Sequence, residues 1–281
     1  MIEYIIIAIL QGLIEWLPIS SSGQVMIFSL NILDISPEQA YSLSIWLHLG
    51  TMFAVILRFH KDYYGIIKSF IPNKDKMDQI DVKKRNWIII ATVGTALTAV
   101  PLFFIFRVLI LGTYSADQGD LLTLVISGFL IITGIILLVF KKKYGRKTID
   151  TISNKELNRD SFISGLIQGI AILPGISRSG VTMSTLLIED YEQDHSLKLS
   201  FLMSVPVILA SIGVDIIFGE GSIFGSLDIP TILIITIVSF LVGYLTMEIL
   251  LRVARKVNFG YFCILYGVIA FVIIVPFLTI N

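Results

Sequence analysis

The sequence is poor in what soluble, disulfide-stapled and metal-clustered proteins rely on. Its 281 residues include one cysteine, Cys263, which excludes an intramolecular disulfide and a cysteine metal site. Charged residues make up 15% of the chain, where a soluble domain of this size carries about a quarter. Net charge is zero, so no basic excess draws the chain to nucleic acid. The N-terminus has neither the basic start nor the small-residue cleavage site of a signal peptide, and Met1 onward is expected to stay in the mature protein. What is abundant is apolar: 55% of residues are hydrophobic and the mean hydropathy is +0.86. Several runs reach the roughly 20 residues that a helix needs to cross a bilayer. Backbone polar groups in lipid must be satisfied within the segment, so these runs are expected to be helices.

Six runs read as full spans: about 40–58, 86–110, 121–140, 196–218, 228–251 and 257–279. Two further apolar stretches, 4–30 and 161–188, are interrupted in the middle. The first is broken by Leu17-Pro18-Ile19-Ser20-Ser21-Ser22-Gly23 and the second by Leu173-Pro174-Gly175-Ile176-Ser177-Arg178-Ser179-Gly180. Proline inside a helix removes a hydrogen bond and clashes with the preceding turn. Each stretch is therefore expected to be two half-helices meeting at a polar break, a re-entrant hairpin. Irregular backbone of this kind is tolerated at membrane depth only when buried in protein or lining a wet cavity.

Basic residues set the orientation. Eighteen of the 21 Lys and Arg fall in three loops, 58–86, 141–160 and 252–256. If the hairpins do not cross, all three loops lie on one side, which the positive-inside rule makes cytoplasmic. The loops near 111–120 and 219–228 and both termini are then external. If both hairpins crossed fully, the 252–256 loop would still follow, but the charge rule would not account for the breaks.

The two broken stretches superimpose on a shift of 157 residues: Gln11-Gly12 on Gln168-Gly169, Ile19-Ser20 on Ile176-Ser177, Ser22-Gly23 on Ser179-Gly180. Each is followed by three spans, and because three is odd the second copy enters the membrane upside down. The fold expected is all-α and polytopic, an inverted repeat of one re-entrant helical hairpin plus three transmembrane helices, twice. It forms a single transmembrane domain over 1–281, with copies at about 1–140 and 160–281 joined by a cytoplasmic loop at 141–159. Inverted repeats with broken helices place their site near the midplane, where the breaks meet.

Of the three remaining basic residues, Arg107 and Lys198 lie near expected helix ends, where long side chains snorkel. Arg178 sits in the second break. An ionisable residue at membrane depth is costly and points to a functional site. Its planar fork of donors suits phosphate oxygens, and under the 157 shift it falls on Ser21, a guanidinium opposite hydroxyls. The half-helices starting near Ser22 and Ser179 would aim free N–H groups into the same space, which favours an anion. Glu15 is the second buried charge, one turn before the serine break and on the face of Gln11. It could take a proton from a serine, help hold a divalent cation with phosphate oxygens, or simply pair with Arg178. Some of Ser20, Ser21, Ser22, Ser177 and Ser179 are expected to be helix caps. His48, mid-span, reads first as a packing or hydrogen-bonding residue and second as a site-lining one. Glu248 is expected to pair with Arg252. Asp215 is expected near an external, solvated helix end, and Asp190-Tyr191-Glu192-Gln193-Asp194 as a solvated turn.

These motifs carry a resemblance. Gln11 through Gly23 resembles the first signature of the undecaprenyl-diphosphate phosphatase family of the bacitracin-resistance type, and Leu173 through Gly180 resembles the second. His48-Leu49-Gly50-Thr51, Ser200-Phe201-Leu202, Phe259-Gly260-Tyr261 and Tyr266-Gly267 extend the likeness over nearly the whole chain. The resemblance implies removal of the terminal phosphate from a polyprenyl diphosphate at the outer face of the plasma membrane, recycling the lipid carrier for envelope glycan synthesis. It implies a divalent cation, Mg²⁺ or Ca²⁺, with Glu15 as its candidate ligand. Ser21 corresponds to the nucleophile, Glu15 to the essential acid and Arg178 to the phosphate-binding arginine. Gln11, Ser20, Ser22, Gln24, Gly175, Ser177 and Ser179 are the candidate substrate contacts. The expected partners are the lipid diphosphate and the membrane, with no nucleic acid and with a homo-oligomer left open. Two positions depart from the family pattern, which has a glutamate at Gln11 and a histidine at Gln24. Glutamine hydrogen-bonds a phosphate but does not shuttle protons near neutral pH. A flippase or transporter that binds the head group without cleaving it is the rival reading.

Overall fold

The computed structural model describes residues 1–254 apart from Pro18, Asp34, 72–77, 109–118, 140–144 and 220–221, together with scattered positions between 261 and 272. Among the described residues there is no strand, only an isolated bridge between Lys147 and Tyr191. The described residues form eleven helices in chain order: α1 Ile2–Ile14, α2 Ser21–Ile32, α3 Pro37–Arg58, α4 His60–Lys68, α5 Gln79–Phe106, α6 Gly119–Val139, α7 Asn154–Ile170, α8 Arg178–Ile188, α9 Gln193–Phe218, α10 Ile223–Ser226 and α11 Ile229–Ala254. Four are long and apolar enough to cross a membrane, α3, α5, α9 and α11, and they match four of the six expected spans. α6 stands where a fifth was expected. The sixth, 257–279, lies almost wholly outside the described residues.

Local chemistry accounts for where the helices begin. α3 starts at a capping box, Ser36 with Gln39, followed by Pro37 in the first turn. α7 starts at a second capping box, Ser153 with Glu156, so it begins several residues before the apolar run expected from 161. α5 starts at the Asp78 cap and carries Lys83, Lys84 and Arg85 in its first turns, well ahead of the expected start at 86. The expected loop 58–86 therefore contains an amphipathic helix, α4, and the charged end of α5. Hydropathy marks the apolar part of a helix, whereas capping marks its end.

The three basic segments meet at one end of the molecule. Lys83 Nζ donates to the carbonyls of Asp150 and Ile152, at 3.0 and 2.7 Å. Asp62 of α4 pairs with Lys84 at 2.9 Å and Lys198 at 2.8 Å. Glu248 pairs with Arg252, as expected, and also with Arg58 at 3.0 Å. In the segment 190–194, Glu192 and Asp194 are exposed as expected of a solvated turn, but Tyr191 is fully buried, lies edge-on to Trp87 and donates to Asp160. At the other end, Asp215 is also not solvated. It is 3% exposed, and its Oδ2 accepts from Ser42, Trp46 and Ser222 at 2.7–3.0 Å. A buried carboxylate keeps such partners because leaving them unmade is costly; here they clamp α3 to the segment after α9.

The large core packs α1, α3, α9 and α11 around Trp16, Trp46, Leu47 and Phe201. Trp16 lies edge-on to Phe201, its ring N–H donating to the Gly243 carbonyl at 2.9 Å. That packing fixes the chain just before the first break, where the candidate site begins.

Candidate active site

The two interrupted stretches are broken where expected. α1 gives way to α2 across residues 15–20, and α7 gives way to α8 across 171–177. Both short helices are capped alike: Ser20 Oγ accepts from the Gly23 N–H, and Ser177 Oγ from the Gly180 N–H. The breaks also touch each other. Ser20 Oγ accepts a second bond from the Gly175 N–H at 3.1 Å. Gly175 has φ of +98°, and a side chain built on Gly23 would lie 2.8 Å from the Gly175 Cα. Glycine is required at both for a left-handed turn and a backbone approach that no Cβ permits. Ser20 itself adopts a left-handed conformation, φ of 56°, a strained geometry held by its two hydrogen bonds.

Glu15, at the C-terminal end of α1, is the hub. Its side chain is 4% exposed. Oε2 accepts from Ser21 Oγ at 2.5 Å and from Gln11 Nε2 at 2.9 Å, and lies 3.2 Å from His48 Nε2. Oε1 accepts from Arg178 Nη2 at 2.6 Å. The expected acid, nucleophile and arginine are thus brought together, Arg178 from 163 residues away in the sequence. Arg178 Nη1 is buried with no hydrogen-bond partner. Around these groups lies a cavity of about 90 Å³, lined by Glu15, Ser20, Ser21, Ser22, His48, Gln168, Ser177, Arg178 and Ser179 among others. It holds the first turns of both short helices, whose leading N–H groups have no intrahelical partner.

Other candidates are placed differently. Gln11 reaches the site only through Glu15, and its own carbonyl oxygen is buried without a partner. Gln24 is outside the cavity lining and donates to the Ile19 carbonyl at 2.9 Å, bracing the first break. Gly175 serves through its backbone. Polar residues that the sequence did not place at the site also line the cavity: Tyr41, Ser44, Thr95, Gln168 and Ser211. Gln168 donates to Thr95 Oγ1 while its carbonyl oxygen is unpartnered. The 157 shift had paired Gln168 with Gln11, and that was the one available signal. His48, read first as a packing or hydrogen-bonding residue and second as a site-lining one, does both of the latter: it bonds the Ser44 carbonyl and lines the cavity 3.2 Å from the carboxylate.

A second, apolar groove of about 310 Å³ runs between α5 and α9. It shares Ile45, Thr95, Ala99, Ile172, Val207 and Ser211 with the polar cavity. Its outer wall includes Val100, Phe104 and Phe218, each 40–47% exposed.

No group of three or more His, Cys, Asp or Glu among the described residues could hold a metal ion. Glu15 is the single carboxylate in the cavity, and all of its partners are hydrogen-bond donors. As arranged, these side chains form no cation cage.

Apolar helices around a hydroxyl-lined, arginine-bearing cavity define a multi-pass membrane protein with a buried polar site. The chain belongs to the family described as bacitracin resistance protein BacA, whose model matches residues 4–272. It is similar to proteins named undecaprenyl-diphosphatase from several archaea. That of Methanothrix thermoacetophila is 37% identical over 268 residues, covering 95% of this chain and 94% of the relative. That of Methanococcoides burtonii is 37% identical over 277 residues, 95% and 96% covered. That of Methanopyrus kandleri is 34% identical over 272 residues, 96% and 94% covered.

Proposed function

We propose that this protein hydrolyses undecaprenyl diphosphate, or a polyprenyl diphosphate of the same class, to the monophosphate and inorganic phosphate. The observation that carries the reading is the junction of Ser21, Glu15 and Arg178 at the N-termini of two short helices. Ser21 Oγ attacks the terminal phosphorus while Glu15 takes its proton. The bond from that phosphorus to the bridging oxygen breaks, and the polyprenyl monophosphate leaves with the electron pair. Glu15 passes that proton to the departing monophosphate. Water then attacks the phosphoserine as Glu15 takes the water's proton. The Oγ–phosphorus bond breaks, Oγ takes the proton back from Glu15, and phosphate departs. Phosphoryl transfer depends on positioning and on spreading negative charge. The free Nη1 of Arg178 and the two helix N-termini supply donors for that charge.

Sequence and local structure support the finer architecture. α2 and α8 begin at Ser21 and Arg178, 157 residues apart, with the same serine cap, in keeping with two repeats, about 1–140 and 160–281, and two re-entrant hairpins. The clustering of the basic segments at one end supports a cytoplasmic face there. The site would then be reached from outside the plasma membrane, past Tyr41 near the start of α3. The polyprenyl chain lies in the groove between α5 and α9, whose walls are continuous with the polar cavity.

The test is an acid-quenched reaction of the purified protein with lipid labelled in its terminal phosphate. Label is expected on Ser21 before it appears as free phosphate, and neither is expected from Ser21→Ala. Phosphate release by Ser21→Ala at the rate of the unaltered protein would overturn the assignment.

A further inference from the structure

Glu15 has four polar neighbours, Gln11, Ser21, His48 and Arg178. Arg178 is needed by the phosphate, and the bond it now makes is to Glu15 Oε1. Once Arg178 also engages the diphosphate through its free Nη1, it holds the carboxylate less firmly. Something must hold it. Gln11 holds Oε2 from the same helix, one turn back. The other support comes from α3: His48 Nε2 lies 3.2 Å from Oε2, while its Nδ1 lies 2.6 Å from the Ser44 carbonyl oxygen. Both ring nitrogens face acceptor oxygens. The backbone bond fixes the ring plane, much as a second partner orients a ligating histidine. His48 is 33 residues from Glu15 in the sequence, on a helix that is also held by the clamp at Asp215.

We infer that His48 is the positioning residue of this site: it keeps Glu15 Oε2 on the Ser21 hydroxyl while Arg178 engages the phosphate. The chain runs Ser21–Glu15–His48–Ser44 carbonyl, with the carboxylate between hydroxyl and imidazole. This differs from the serine–histidine–acid order, in which the imidazole touches the nucleophile. Nothing in this arrangement requires His48 to touch the lipid or the departing phosphate. The inference rests on the proposed reaction only for the roles of Ser21 and Glu15.

Two readouts separate it from that reading. The first is the rate at which an alkyl fluorophosphonate reporter labels Ser21 in the purified protein, which needs no lipid substrate. In that reaction the Oγ–phosphorus bond forms, fluoride leaves and the hydroxyl proton passes to Glu15. The second is phosphate release, read separately as kcat and KM. His48→Ala is expected to slow labelling and kcat by about 10²-fold, the cost of a misplaced reacting group, with KM within about twofold of the unaltered protein. His48→Gln, which can still donate to Oε2, is expected to recover part of the loss. Slow labelling in His48→Ala from a protein that releases no phosphate would leave the inference standing and remove the proposed reaction. Unchanged labelling and kcat in folded His48→Ala would overturn the inference, as would a rise in KM alone. Loss of folding in both variants would assign His48 to the fold and overturn it as well.

Discussion

The two breaks are alike in backbone and opposite in chemistry. Both follow a Gln-Gly pair, both cap their second helix with a serine, and both continue Ser-Gly three positions on. Two of the differences carry the charges. Glu15 in the first break falls on Ile172 in the second, and Ser21 falls on Arg178. The first break therefore carries the acid and the hydroxyl, and the second carries the cation. Gln11 and Gln168 show what this does to a shared residue. Gln11 donates to Glu15 one turn on; Gln168 has an isoleucine there and turns to Thr95 of α5. What the breaks share makes two helix N-termini, and what they do not share makes an asymmetric site from them.

The comparison can be broken most severely at the unshared positions. Arg178→Lys keeps the charge and loses the planar fork; phosphate release is expected to fall by at least ~10²-fold, on the scale of losing one preorganised donor to the transition state. Activity near that of the unaltered protein would reduce Arg178 to a counter-ion for Glu15.

The shared positions should differ in degree. Ser177→Ala removes a cap bond and is expected to lower stability by about 1 kcal/mol. Ser20→Ala removes a cap bond and also the bond that joins the two breaks, so it is expected to cost more, by roughly another 1 kcal/mol. Equal losses in thermal unfolding would mean that the Ser20–Gly175 bond does not couple the breaks.

The groove offers a milder test, because it acts on the tail and not on the head group. Ala99→Trp at the junction of groove and cavity is expected to raise KM for a long polyprenyl diphosphate severalfold, while a short-chain diphosphate is cleaved as before. Equal effects on both would move the tail elsewhere.

The smallest effect lies outside the membrane-spanning helices. Burial, and next the neighbouring Asp160, raise the Glu189 carboxyl to about 8 from an ordinary value near 4.5, and its Oε2 has no hydrogen-bond partner. A carboxyl raised in the folded state favours folding fully below its unfolded value, and that contribution is lost as pH rises through about 8. Glu189→Gln is expected to flatten the pH dependence of the unfolding temperature in that interval. An unchanged profile would show that Glu189 is already relieved by solvent.

Much of this site was legible because its parts are expensive. A glutamate and an arginine inside apolar runs, beside proline and glycine, sit at membrane depth only at a cost in free energy. That cost marks Glu15 and Arg178 in the bare sequence, whereas Ser21 was set apart from Ser20 and Ser22 by the family resemblance alone. The spans followed from hydropathy, except where a cap rather than the lipid sets the helix end, as at Ser153 and Asp78. His48 was legible only as a polar residue on a helix, since nothing in its own segment says that Glu15 will stand opposite. Asp215 reads as solvated for the same reason: its partners Ser42 and Trp46 are more than 160 residues away. Gln24 reads as a phosphate contact by its place in the motif, whereas the Ile19 carbonyl exposed by the break occupies its amide.

The measurement that tests the central claim most directly is phosphate release by the double variant Glu15→Gln/Arg178→Gln, alongside its stability. Arg178→Gln alone leaves a buried carboxylate without its cation and is expected to destabilise the protein by about 3–5 kcal/mol. Removing both charges is expected to restore most of that stability while phosphate release stays undetectable. A folded double variant that releases phosphate at near-normal rate, at saturating lipid and divalent cation, would show that the pair holds the fold together and that the chemistry is done elsewhere.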